Sequence, residues 1–176
     1  MPKTQVREAI AAYLDPLTSG IAYLGAVYQA LPKVTNESDL FNLQPSGTGI
    51  GAVIYMFIEG QVESRKALGG GPPTAATNSG RKLREYTLGL LCILKSDFPD
   101  SLSGQVAFDQ FIDSLTAYIQ ADRYAGDPTV IFGWGEGNLS GGPDLRFDYP
   151  VPKTMSGGVT LFQGVGRVTV LEFLDT

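Results

Sequence analysis

The chain has 176 residues, 43% hydrophobic and 18% charged, which is the composition of a folded protein with length for one core, so a single domain over residues 1–176 is expected. Its net charge of −5 is unevenly placed: residues 1–88 hold eight Lys/Arg against seven Asp/Glu, and residues 89–176 hold five against eleven. An acidic chain gains nothing from counterion release on a phosphate backbone, which disfavours sequence-specific DNA binding. The absence of histidine removes the commonest general base and metal ligand, and a lone cysteine, Cys92, excludes a disulfide within the chain.

In chain order, the first segment is Pro2 to Leu14, where Val6, Ala9, Ile10, Tyr13 and Leu14 recur at helical spacing before Pro16 stops the run. Lys3, Arg7, Glu8 and Asp15 within it are unlike a secretory signal, so the protein is expected to stay inside the cell that makes it. Ala22 to Leu31, with Tyr23, Val27 and Tyr28, suits a short strand near a sheet edge. Thr35 to Gly51 has the composition of a surface loop pinned by Leu40, Phe41 and Leu43, or of an exposed apolar loop that meets a neighbour.

Ala52 to Ser64 and Leu83 to Ser96 are apolar on both alternating faces at their centres, as expected of central strands covered on two sides. Cys92 sits in the second as a small buried hydrophobe. The longest unbroken apolar stretch, Ala52 to Ile58, is far short of the ~20 residues that span a bilayer, so no membrane partner is expected. Gly69 to Gly80, with three consecutive glycines, two prolines and no charge, reads as a mobile hairpin tip. If its flanking strands pair, Arg65, Lys66, Arg81, Lys82 and Arg84 gather at its base. Such a frame serves either as a solvated strand end guarded against edge aggregation or as a docking arm.

After Pro99, residues Val106 to Arg123 form the clearest element, with Phe108, Phe111, Ile112, Leu115, Tyr118 and Ile119 on one helical stripe. Asp109 and Asp113 lie four apart on a neighbouring face, a like-charge pair that a positive partner would relieve. The last third reads as short strands and turns at Thr129 to Trp134, Gly135 to Pro143, Leu145 to Val151 and Val159 to Phe173, with Gly164 and Gly166 marking a bulge or hairpin turn in the final run. The fold class expected is α+β: a mostly antiparallel sheet with a long hairpin, flanked by two amphipathic helices.

No chemistry assembles from these residues, and no cofactor, metal or catalytic residue is expected. The spacings Gly133-x-Gly135-x-Gly137 and Gly164-x-Gly166 do not continue into a nucleotide-binding helix start, and no Gly-Lys-Ser/Thr occurs. The acidic pairs Asp97/Asp100 and Asp144/Asp148 lack calcium-loop spacing. No nucleophile elbow or Ser-x-x-Lys motif is present, although a carboxylate pair close only in space would escape a sequence reading. Trp134 reads as a core or interface anchor in preference to a sugar-stacking platform, and Asn36 and Asn138 are chance matches to the glycosylation pattern.

The order of elements, from amphipathic helix through strand, long hairpin and strong helix to short strands closing on Val168-Thr-Val-Leu-Glu-Phe173, resembles the tail-terminator, or tail-completion, proteins of long-tailed phages. The resemblance implies a structural, non-enzymatic subunit of the virion, at the tail and neck, made in the bacterial host cytoplasm. It implies a homo-hexameric ring on the tail tube that ends tube growth and offers the surface on which the head docks, with DNA only passing through the lumen. Implied partners are further copies of the chain, the tail tube protein and a head-completion or stopper protein. In that frame the tip and its basic base would meet the tube or a neighbouring subunit. A head-completion or stopper protein of the neck, and outside that class a small non-metal hydrolase or ligand-binding module, are the competing readings.

Overall fold

The computed structural model describes residues 3–31, 50–66, 81–97, 101–122, 124, 130–132, 145–150, 152–154 and 159–174. The expectations for the loop over residues 35–49, the hairpin tip at 69–80, Trp134, and the segment 135–143 fall outside these residues.

Helix α1 (Lys3–Tyr13) forms because Val6 and Ile10 lie one turn apart and, with Leu14 just beyond its end, present a fully buried row to the core. Pro16 does more than end that run. It occupies the first turn of a second helix, α2 (Pro16–Ser19), where a missing N–H costs nothing, while the Asp15 carboxylate caps the turn by accepting from Leu17 N at 2.8 Å. Gly20 closes α2 in the left-handed conformation at φ 65°.

Strand β1 (Leu24–Tyr28) is the sheet edge, as expected, but it runs parallel to its neighbour. A parallel pair needs a long crossover, and residues 29–49 supply the chain length for it. The sheet is built on β2 (Ile50–Lys66) and β3 (Arg81–Ser96), which begin two residues earlier, or run two residues later, than the apolar runs alone imply. Ile50 and Gly51, assigned to the preceding loop by composition, therefore belong to β2. The only register shift between β2 and β3 lies at Ile58/Gly60.

Helix α3 (Ser101–Ala121) starts earlier than the stripe suggests and buries Phe108, Phe111, Ile112, Leu115 and Ile119, with Tyr118 partly covered. Strands β4 (Val130–Phe132), β5 (Arg146–Asp148) and β6 (Lys153–Thr154) are short, and all three pair with the outer edge of β7 (Thr160–Leu174). The strand order is β1-β2-β3-β7-β4, antiparallel everywhere except at β1. The architecture is thus α+β, a mostly antiparallel sheet with helices packed on it.

The alternation of side chains divides the sheet into two faces. Ala52, Ile54 and Met56, Leu88 to Leu94 at every second position, and Val168 and Val170 join α1, α3 and Phe132 in the main core. The opposite face carries a smaller cluster of Val53, Tyr55, Ile93 and Leu161. Tyr28 stacks on Tyr55 there with ring centroids 5.0 Å apart.

The bulge or turn expected at Gly164 and Gly166 is absent: β7 keeps an unbroken register with β3 from Thr160 to Leu174. These glycines are seats for rings. A Cβ on Gly166 would lie 2.5 Å from the Phe147 ring, and one on Gly164 would lie 3.2 Å from Phe108. On the other face, Phe57 covers Gly89 in the same way, with 2.4 Å to a notional Cβ.

Two tyrosines tie the helices together. Tyr13 Oη donates to the Tyr118 carbonyl at 2.8 Å, Tyr118 Oη donates back to the Tyr13 carbonyl at 3.2 Å, and their rings lie 4.7 Å apart. A third attachment runs through Tyr23, which holds a left-handed φ of 60°. Its hydroxyl donates to Gln110 Oε1 at 3.0 Å, its carbonyl accepts from Ala52 N at 2.9 Å, and the neighbouring Ala22 N donates to Ser114 Oγ at 3.0 Å. The surrounding bonds over-determine a backbone conformation that tyrosine disfavours.

Two predictions follow from this packing. Gly166→Ala is expected to destabilise the protein by about 1–3 kcal/mol through overpacking against Phe147. Adding Phe147→Ala should remove most of that increment, seen in urea unfolding as non-additivity of a double-mutant cycle. The second concerns alkaline pH. Tyr13 is pushed up to about 12 by burial, then by Tyr118 and Asp122, and Tyr55 is pushed up to about 12 by burial, then by Tyr28. Between the ordinary tyrosine value of about 10 and those raised values, the folded state holds protons that the unfolded chain has released. The associated stability is present below about pH 10 and lost as pH rises toward 12. Thermal unfolding across that range should show a falling Tm, and Tyr13→Phe with Tyr55→Phe should flatten the fall.

Candidate functional site

The candidate interface residues lie toward opposite ends of the sheet. Four of the five basic residues occupy the last rungs of the β2–β3 ladder, where the register sets Lys66 opposite Arg81 and Arg65 opposite Lys82. By register alone, four basic residues share the last two rungs of the ladder.

Arg84 departs from this group. Two rungs further in, it stands opposite Glu63 on β2 and Glu172 on β7. Its Nε donates to Glu63 Oε2 at 2.9 Å and its Nη1 lies 3.8 Å from Glu172 Oε2. The hydrogen bond to Glu63 raises the Arg84 pKa. Glu172 is fully buried, and the equally buried Tyr86 donates to its Oε2 at 2.8 Å. Burial, then this bond, raises the Tyr86 pKa. A carboxylate in that position requires a donor and a nearby cation, which Tyr86 and Arg84 supply. The network Glu63–Arg84–Glu172–Tyr86 closes the core where the hairpin leaves it. Glu63 at that rung, and Glu59, Gln61 and Val62 on β2 with Glu85 on β3 on its inner side, are exposed.

A second ion-pair cluster spans the sheet around Arg167. Its Nε donates to Glu59 Oε2 at 2.9 Å, its Nη1 to Asp148 Oδ2 at 2.7 Å, and Arg146 approaches Asp148 at 3.4 Å. These groups are exposed, so each pair contributes little to stability. Their effect is to link β2, β5 and β7 across β3. Neither network was visible beforehand, because Glu59 and Arg167 are separated by 108 residues and Tyr86 and Glu172 by 86. The one available signal was Glu172 itself, a lone acid within the apolar alternation of Val168 to Phe173.

Asp109 and Asp113 lie on the exposed side of α3. Gln105 Nε2 donates to Asp109 Oδ1 at 2.8 Å. Both carboxylates act on Tyr149, whose pKa is raised first by burial and then by Asp109 and Asp113. The basic frame and the acidic pair are therefore not brought together in one chain. Along β3, Lys82 is separated from Leu94, the partner of Phe162 beneath α3, by about 40 Å at ~3.4 Å per residue.

Among the described residues no three of Cys, Asp and Glu gather as a metal site, and no helix is long and apolar enough to cross a membrane. Cys92 is buried in the main core, and burial pushes its thiol up, away from the reactive thiolate.

No family model matches the chain, and no curated protein matches it. A chain of a solved structure described as the virion of native gene transfer agent (GTA) particle is similar over 97% of this chain and 99% of its own, with 13% sequence identity and a TM-score of 0.33. At that score the superposition does not establish a shared fold.

Removing the phenol that holds the buried carboxylate should be costly. Tyr86→Phe is expected to lower stability by about 2 kcal/mol, the scale of a hydrogen bond to a charged group. Adding Glu172→Gln should recover part of the loss in urea unfolding, because an amide left without the phenol is less penalised than a charge.

Proposed function

We propose that this chain is a structural, non-enzymatic virion protein, a tail-terminator subunit that forms a ring at the head-proximal end of a phage tail tube. In this reading residues 1–176 act as one domain, and the ring stops tube growth and provides the head-docking surface. Its partners are further copies of the chain in a homo-hexamer, the tail tube protein and a head-completion or stopper protein. DNA passes through the lumen without being gripped, and the protein is made in the bacterial host cytoplasm before it joins the tail and neck.

The observation that carries the reading is the long β2–β3–β7 ladder, whose register sets Arg65, Lys66, Arg81 and Lys82 on the last rungs of the β2–β3 pair. An extended arm with a fixed register and a charged end is a device for reaching a partner rather than for enclosing a substrate. The acidic pair Asp109 and Asp113 supplies a surface of opposite sign far from that end. A closed ring requires two different complementary patches on each copy, and the separation of the basic rungs from the acidic pair supports that reading. The sequence resemblance supplies the tail and the tube.

Imaging particles made without the gene, with purified protein added back, tests the assignment. Tails of irregular, excessive length that fail to join heads, corrected by the added protein, are the expected outcome. Tails of normal length beside leaking or tail-less heads would move the protein to head completion. Normal particles would exclude a structural role.

A further inference from the structure

Strand β1 (Leu24–Tyr28) ends the sheet, and among the described residues its hydrogen-bonded neighbour is β2 alone. Folded proteins guard such an edge with charge or proline, and the run Leu-Gly-Ala-Val-Tyr has neither. It is an edge left able to pair.

Two buried donors without acceptors converge on the far end of this strand. On the helix side, Arg7 of α1 donates through Nη1 to the carbonyl of Gln29, the residue after β1, at 2.9 Å, while its buried Nε has no partner. On the other side, Tyr55 stands opposite Tyr28 in the register and stacks on its ring. Tyr55 is 3% exposed, and its buried hydroxyl has no partner either. Tyr28 and Gln29 are successive residues, so the two donors flank one strand end on its two faces. Buried polar groups are nearly always hydrogen-bonded, and two exceptions at one place call for one explanation. A further strand beside β1 supplies it, with carbonyls along the edge and side chains that alternate between the faces. Arg7 is in no ion pair among the described residues, so a strand that also brings a carboxylate suits it best.

We propose that β1 pairs with the open edge of β5 (Arg146–Asp148) of a second copy of this chain, continuing the sheet from one subunit into the next. Among the described residues β5 pairs with β7 alone, so its other side is also an edge. It brings Asp148, whose side chain is 49% exposed and whose carboxylate has capacity beyond the bonds to Arg167 and Arg146. One chain cannot join its own two edges, because β2, β3 and β7 hold them ~19 Å apart at ~4.8 Å per strand step. Pairing of β1 with β1 by a two-fold axis would set Arg7 against Arg7 and leave both without an acceptor. The contact rests on the ring reading above and gives that ring two dissimilar edges.

The test uses the full-length chain with Tyr28 replaced by the photocrosslinker p-benzoyl-phenylalanine, mixed with a ¹⁵N-labelled chain so that inter-chain products are separable by mass. Crosslinks to the β5 peptides of the other copy are expected. In sedimentation velocity, Arg7→Glu and Asp148→Lys should each weaken self-association roughly tenfold, and the two together in one chain should restore it. A chain that stays monomeric to about 1 mM, crosslinks that map to β1 or to other segments of the second copy, or association indifferent to both substitutions would overturn the contact. Tail termination is read from particles, so either reading can fail without the other.

Discussion

The structure depends on β3 being paired along its length on both sides. Its partners β2 and β7 are nearly as long, and both are antiparallel to it. Because side chains alternate with a period of two, a slip of one residue on either side would carry a whole row to the wrong face. Leu88, Leu90, Cys92 and Leu94 would leave the helices, and the charged row of Glu85, Arg167 and Lys95 would enter the core. The glycines reinforce the choice: Gly89 accepts Phe57 on one face, and Gly164 and Gly166 accept Phe108 and Phe147 on the other. Register, helix seating and ring packing are therefore one constraint expressed three times.

The same ladder decides where charge can be placed. The buried Glu172, which Tyr86 and Arg84 stabilise, stands three rungs from the end of the β2–β3 ladder, and β7 runs two residues past it. Arg84 is consumed in that closure, so the basic frame suggested by sequence divides into one structural arginine and four residues on the terminal rungs. The helices sit on the other part of the sheet, and α3 brings Asp109 and Asp113 beside Tyr149 there. Separation of opposite charges along the molecule is a product of strand length. A shorter hairpin would place the two groups within reach of one another and let each chain satisfy itself.

Much of the fold was legible because it is carried by local periodicity. The stripe from Phe108 to Ile119, the apolar runs of β2 and β3, and the edge position of β1 were all readable over windows of a few residues. The misreadings share a cause. Gly164 and Gly166 have the local appearance of a break, yet their role is set by Phe147 and Phe108, which come from other parts of the chain. Pro16 ends α1 and also begins α2, and only the capping geometry of Asp15 distinguishes those uses. The parallel sense of β1 is a property of the crossover and leaves no periodic mark. For the site, sequence located the charged residues but not their fates. Glu63 and Glu172 divert Arg84 through cross-strand pairing, and the two acids come from different strands.

These features also bear on the kind of symmetry that suits the molecule. A two-fold contact sets a surface patch against its own copy. At the hairpin end that would oppose Arg65, Lys66, Arg81 and Lys82 to the same residues, and at α3 it would oppose Asp109 and Asp113 to themselves. Each arrangement brings like charges together, which is costly where water is excluded. In the proposed ring a head-to-tail contact avoids both conflicts at once, and the same contact repeats until the rotation between neighbours closes. Whether a chain of this kind makes a ring or a filament is then a matter of the angle between one copy and the next.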